Sequence, residues 1–393
     1  MRKIFILLVI CLGISFSGNA QPTVQTGADR LESFLWLLDG KRVAVCGNQT
    51  SMVGDTHLVD TLLRRHVNVV KIFCPEHGFR GNAEAGAHIA SGTDPMTGLP
   101  IVSLYGKNKK PTPEQVNDVD VIVFDLQDVG CRFYTYISTL HYIMEAAAEN
   151  SVRVIVLDRP NPNGHFVDGP VLDPKFKSFV GMHPVPVVYG MTIGEYARMI
   201  NGEGWLAGGI HCNLAVVQLQ NYTHNTRYVL PIAPSPNLPN AESIYLYPSL
   251  CFFEGTNVSI GRGTTLPFQI YGSPSFTKGD TTFTPEPIPG VSENPPCKHQ
   301  RCNGFSLIQT ARAGLASGEN QLRLEYMLNA YHLTPDKSNF FTNANFFDKL
   351  AGTDQLRKQI ISGMREEEIR QSWQEDLENF KSIRNKYLLY PEH

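Results

Sequence analysis

Two carboxylates, an arginine and two tyrosines crowd the end of one apolar run, Val119 to Tyr136 (VDVIVFDLQDVGCRFYTY). Carboxyl groups gathered at one edge suit the cleavage of a glycosidic bond, where one must hold a proton for the leaving oxygen while the other stays charged. Glu76 and Asp125 are the candidate pair. Glu76 follows the run Val67 to Cys74 through Pro75, a position where partial burial would raise its pKa toward that of a general acid. Asp125, with Arg132 nearby in the sequence, could instead be held ionised as base or nucleophile. Each residue also has a plainer use. Asp125 or Asp128 could cap the helix expected from Thr139 or pair with Arg132; His77 could serve only as a hydrogen-bonding group, and Asp158 with Arg159 as a structural ion pair. Convergence of several such groups is what favours chemistry.

The elements that would bring them together have a simple grammar. Val119 to Phe124, rich in β-branched and aromatic residues and too short for an ordinary helix, reads as a strand covered on both faces. Arg42 to Cys46 likewise leads into Gly47, Asn48, Gln49 and Thr50; Val67 to Cys74 into Pro75, Glu76, His77 and Gly78; Val152 to Leu157 into Asp158, Arg159, Pro160 and Asn161. If these strands are parallel their carboxyl ends converge, and in open α/β sheets ligands bind at that edge because crossover helices cover the faces. Helical patterns fall between them at His57 to Arg65, Thr139 to Glu149 and Thr192 to Ile200, the last with Glu195 placed to complete a capping box. Such alternation predicts an α/β, doubly wound parallel sheet with right-handed crossovers. Gly202 to Ala207 spells GxGxxA but follows a helix instead of joining a strand to one, so the mechanism behind the dinucleotide fingerprint is missing.

After a strand-like Leu214 to Leu219, the Pro-rich passage Pro231 to Pro239 breaks this alternation. The expected organisation is a leader over 1–20, an α/β domain over 21–225 and a smaller α+β domain over 226–393, with Thr281 to Pro296 as the most mobile or variable loop. In the second region Glu254 to Gly263 (EGTNVSIGRG) offers a carboxylate, the Asn257 amide and Arg262 in a Gly-rich turn suited to closing over a polar ligand; its glycines could equally supply positive φ alone. Tyr134 and Tyr136 are candidates to stack on a sugar or to fill the core.

Composition narrows the function. The 393 residues are 42% hydrophobic and 18% charged, enough for a large core and two or three domains, and a net charge of −3 gives no support to nucleic acid as the main partner. The basic knot Lys107 to Lys110 is explained by a solvated loop. Met1 to Ala20 has the basic start, apolar centre and small-residue end of a cleaved export signal, and its apolar stretch is shorter than the roughly 20 residues of a spanning helix. A periplasmic or secreted protein is therefore expected. Loss of the leader with Cys11, which no small residue precedes as a lipoprotein signal would require, leaves an odd number of cysteines and no full disulfide framework. Cys297 and Cys302 could bridge a loop or stay free thiols, while Cys46, Cys74, Cys131 and Cys251 read as core. With no G-x-S-x-G, H-E-x-x-H or paired C-x-x-C, serine-hydrolase and zincin chemistry lose weight. No cofactor is expected, and nothing in the spacing of His77, Asp125 and Asp128 favours a metal.

Four stretches, PEHGFRG at 75–81, FDLQDVGCRFYTY at 124–136, LDRPNPNG at 157–164 and EGTNVSIGRGT at 254–264, are long and specific. Through them the chain resembles the exo-β-N-acetylmuramidase (NamZ-like) family, once known only as a domain of unknown function, over nearly its whole mature length. The resemblance implies a Rossmann-like domain joined to a smaller one, an active site in the cleft between them, and removal of N-acetylmuramic acid from the non-reducing end of peptidoglycan fragments, with Glu76 and Asp125 catalytic. The remaining candidates, Asn48, His77, Arg80, Asp128, Arg132, Tyr134, Asp158, Arg159, Glu254, Asn257 and Arg262, would bind the substrate, whose lactyl carboxylate needs Arg80, Arg132, Arg159, Arg262 or the Asn48 amide. The rival readings are a periplasmic sugar- or muropeptide-binding protein without turnover, and a hydrolase of the peptide part that would need a metal or nucleophile.

Overall fold

The computed structural model describes residues 23–76, 78–80, 92–318 and 321–392; the expected export signal and His77 lie outside them. Among the described residues no helix is long and apolar enough to cross a membrane.

The apolar runs do form strands: β1 (Val43–Gly47), β2 (Val69–Cys74), β3 (Pro100–Ser103), β4 (Val121–Asp125), β5 (Arg153–Leu157) and β6 (Asn213–Val217). Their order across the sheet is β3-β2-β1-β4-β5-β6, all parallel, with Gly92–Thr93 added antiparallel at the β3 edge. β1 and β4 are buried at every residue, as central strands covered by helices on both faces must be. The sequence pattern missed β3, which is short, begins on a proline and is half-exposed over most of its length. The chain runs from β1 outward to β3 and returns to place β4 on the other side of β1, so the order reverses between β1 and β4. Loops leaving those two strands must diverge there, which opens a crevice at their carboxyl ends.

Helices α1 (Leu58–Arg64), α2 (Tyr136–Glu149) and α3 (Ile193–Gly202) cover the sheet. His57 caps α1, accepting from the Val59 amide, and Thr192 with Glu195 forms the expected capping box at α3. α2 starts at Tyr136, earlier than the apolar periodicity suggested, so Tyr136 opens the helix and Tyr134 lies just before its N-cap, Thr135. The second region opens with α4 (Ala241–Leu250), capped by Asn240, and continues in an antiparallel sheet ordered 270–273, 302–306, 281–283, with further helices to Arg384. Thr281 to Pro296, expected as the variable loop, supplies one of those strands and donates from the Glu286 amide to the Gly263 carbonyl at 2.8 Å.

α2 and α3 are joined by a buried polar chain: His141 Nδ1 lies 2.9 Å from His183 Nε2, and His183 Nδ1 lies 2.9 Å from the Tyr196 hydroxyl. Burial pushes both imidazoles down, His141 to about 4, so they are neutral in the folded protein. The unfolded chain takes up the His141 proton near pH 6.5 and the folded chain only near 4, so stability is lost as pH falls across that window. Urea unfolding between pH 7 and pH 4 is expected to show a loss of about 2–3 kcal/mol from this residue, with a shallower slope in His141→Gln.

Candidate active site

At the carboxyl edge the segments that follow β2, β3 and β4 meet the second region around a cavity of about 250 Å³. Glu76, two residues beyond β2, lines it together with Tyr134 and Tyr136 and with Glu254 and Arg262 of the second region. Glu254 sits on the 3₁₀ turn Cys251–Gly255 that prolongs α4, and Arg262 on the turn that follows. Gly261 and Gly263 adopt φ of 77° and 79°, the left-handed region that favours glycine, and so fold the chain back to bring Arg262 Nη2 within 2.5 Å of Glu254 Oε1. Gly255 serves differently: a Cβ there would stand 2.6 Å from that of Phe347. Arg262 also lies over the Phe268 ring, 5.2 Å from its centroid. Burial works against its charge, but Glu254 outweighs that and holds the guanidinium above its ordinary value.

Phenols surround Glu76. Burial, then the charge and hydrogen bond of Glu76, push the Tyr105 hydroxyl upward; Tyr136, also raised chiefly by burial, feels the same carboxylate. Asn48, the residue after β1, is fully buried and donates from Nδ2 to the Tyr136 hydroxyl at 2.8 Å, while its Oδ1 accepts from the Thr50 amide and hydroxyl. It thus fixes a cavity wall without lining the cavity. Tyr134 packs edge-to-face on Tyr136, centroids 4.8 Å apart, and donates to the Pro234 carbonyl at 2.8 Å.

The remaining sequence candidates are elsewhere, each for an identifiable reason. Asp125 is wholly buried and does not line the cavity; Arg159 grips both its oxygens, Nε at 2.6 Å and Nη2 at 2.9 Å, so its partner is not Arg132. Arg132, also without exposure, spends its guanidinium on the carbonyls of Pro170, Val185 and Leu350, at 2.8, 2.6 and 2.9 Å. Asp128 accepts from the Tyr189 hydroxyl and the Gly130 amide, and burial raises it to about 7. Neither aspartate caps α2, whose N-cap is Thr135. Asp158 is not an ion-pair partner of Arg159: it accepts from Thr192, Gly194 and Tyr390, which pins the C-terminal segment to the sheet, and burial raises it also to about 7. Arg80 pairs with Asp94 and Asp60. Asn257 lies off the cavity, its amide donating to Phe340 and its carbonyl accepting from the free thiol of Cys297; Cys302 is free too.

The structure adds residues that sequence reasoning passed over. Tyr105 follows the unrecognised β3, and Ser235, Asn237 and Leu238 belong to the Pro-rich passage, which turns out to be a wall of the site. Asn237 is 2% exposed and donates to the Val291 carbonyl at 3.1 Å. Only the break in strand and helix alternation at Pro231 marked this segment.

Comparison with known proteins identifies the family. The exo-β-N-acetylmuramidase NamZ N-terminal family model matches residues 43–242, and its C-terminal counterpart matches 245–390. The chain belongs to the NamZ exo-β-N-acetylmuramidase family. It is accordingly a glycoside hydrolase. The peptidoglycan β-N-acetylmuramidase NamZ of Bacillus subtilis (strain 168) is 40% identical over 390 residues, spanning 94% of this chain and 92% of that protein. Two crystal structures of DUF1343 family proteins from Bacteroides fragilis NCTC 9343 share the architecture. One has a TM-score of 0.87 at 47% identity over 95% of this chain and all of its own, the other 0.77 at 32% over 93% and 99%.

The contrast between Asp125 and Glu76 is measurable in stability. Asp125→Asn leaves a buried guanidinium uncompensated and is expected to cost about 3–5 kcal/mol, whereas Glu76→Gln, at a half-buried cavity wall, should change stability by less than about 1 kcal/mol. Urea denaturation of both variants checks this.

Proposed function

We propose that this protein is an exported, exo-acting β-N-acetylmuramidase that removes the terminal non-reducing N-acetylmuramic acid from peptidoglycan fragments during cell-wall turnover. The observation that carries the proposal is the pair of carboxylates, Glu76 and Glu254, lining one cavity from opposite regions of the chain. The Bacillus relative's substrate and the leader-like Met1 to Ala20 support it. A cavity of about 250 Å³ walled by both regions suits a single terminal sugar. Glu76, flanked by the phenols of Tyr105 and Tyr136, hands a proton to the glycosidic oxygen as that bond breaks. Glu254, whose Oε1 contacts Arg262 Nη2, faces the developing oxocarbenium ion or activates water. Tyr134 and Tyr136 give the sugar an aromatic wall. In this reading Glu254 takes the catalytic place expected of Asp125, and Asp125 acts by holding Arg159 and the strand ends.

A chromogenic β-N-acetylmuramide and the matching β-N-acetylglucosaminide test the proposal directly. Wild-type protein is expected to release chromophore from the muramide, with Glu76→Gln and Glu254→Gln each lowering kcat by about 10²- to 10⁴-fold at unchanged circular dichroism. Tight binding of the muramide with no release would give the molecule to the rival class of binding proteins. Full activity in Glu254→Gln would return the second carboxylate role to another residue.

A further inference from the structure

Four arginines of this chain could meet an anionic sugar, and the structure separates them. Arg132 is fully buried against three backbone carbonyls, Arg159 is clamped on Asp125 and donates also to Met52, and Arg80 is committed to Asp94 and Asp60. Arg262 is the one cation among the described residues lining the cavity. Its side chain keeps 22% of its exposure, and Nη2 to Glu254 is its hydrogen bond there; Nε and Nη1 meet no acceptor among the described residues. The Phe268 ring packs against the guanidinium, its centroid 5.2 Å from Cζ. A guanidinium carries five N–H donors in a rigid fork, so one contact with Glu254 leaves capacity for a second carboxylate.

The same wall poses an electrostatic problem. Glu254 lines the cavity, and a carboxylate brought beside it from water would be repelled at close range. A sugar carrying a carboxylate can settle there only against a cation already in place. We propose that Arg262 is the specificity-determining residue of this site, and that it recognises the lactyl carboxylate of the muramic acid ring while Glu254 holds its fork in position.

The inference rests on the muramidase reading, and its test is chosen so that the two can fail separately. Binding of free N-acetylmuramic acid and of N-acetylglucosamine is measured by calorimetry on wild type, Arg262→Gln and Arg262→Lys, which needs no turnover. Wild type is expected to prefer the muramic acid. Arg262→Gln should weaken muramic acid binding by about 10- to 100-fold and leave the glucosamine unchanged, with Arg262→Lys between them because it keeps the charge without the fork. In turnover, Arg262→Gln should raise KM for the muramide far more than it lowers kcat, and a substrate whose lactyl group is a neutral amide should lose nothing further in the variant.

Equal loss on acid, amide and glucosaminide would overturn the proposal, since it would mean that Arg262 acts only through Glu254. A preference for the acid that survives Arg262→Gln would overturn it as well, by placing lactyl recognition elsewhere. Arg262-dependent binding without any release of sugar would leave the specificity role standing and sink the muramidase reading instead. Should the glutamine variant fail to fold by circular dichroism, the lysine variant carries the same comparison of acid with amide.

Discussion

The carboxyl edge of the sheet has to keep ionised groups out of water, and the Asp125–Arg159 pair makes that arrangement stable. Asp125 ends β4 beside Gly47 of β1, at the point where strand order reverses, and it has no solvent exposure. Arg159 leaves β5 and closes on both its oxygens while also donating to the Met52 carbonyl in the loop after β1. One ion pair therefore ties the ends of three strands. Either partner alone would be a buried charge costing several kcal/mol; together, with further hydrogen bonds, they form a floor on which loops can carry chemistry.

The other buried polar groups extend that floor. Asn48 fixes Tyr136, Asp158 anchors Tyr390 and the start of α3, and Arg132 gathers carbonyls from Pro170, Val185 and Leu350, which joins the two regions of the chain. A division of labour results among residues of one chemical type. Asp125, Asp128 and Asp158 are sealed inside and do structural work, while Glu76 and Glu254 stand at the cavity, where a ligand can reach them. The arginines divide the same way, with Arg262 at the cavity and the rest committed to protein groups.

Much of this was legible in the sequence, for reasons that are local. Burial on both faces leaves a continuous apolar run, so β1, β2, β4 and β5 could be read along with the polar residues that leave them, and a threonine three residues before a glutamate marked the start of α3. The short, half-exposed β3 carried no such run and was missed, and with it Tyr105. The Pro-rich passage was recognisable as a break in the pattern, yet nothing local showed that Ser235 and Asn237 would wall the site.

The sequence by itself determined the α/β class, the converging strand ends and the family, because periodicity and long motifs are properties of neighbouring residues. Tertiary structure alone decided which carboxylate and which arginine face the cavity. That choice depends on partners remote in the chain: Arg132 finds Leu350 across 218 residues, and Asp125 finds Arg159 across 34 in preference to the arginine a few residues away. A charged side chain goes where its desolvation is best compensated, and the compensating group is fixed only once the fold has closed.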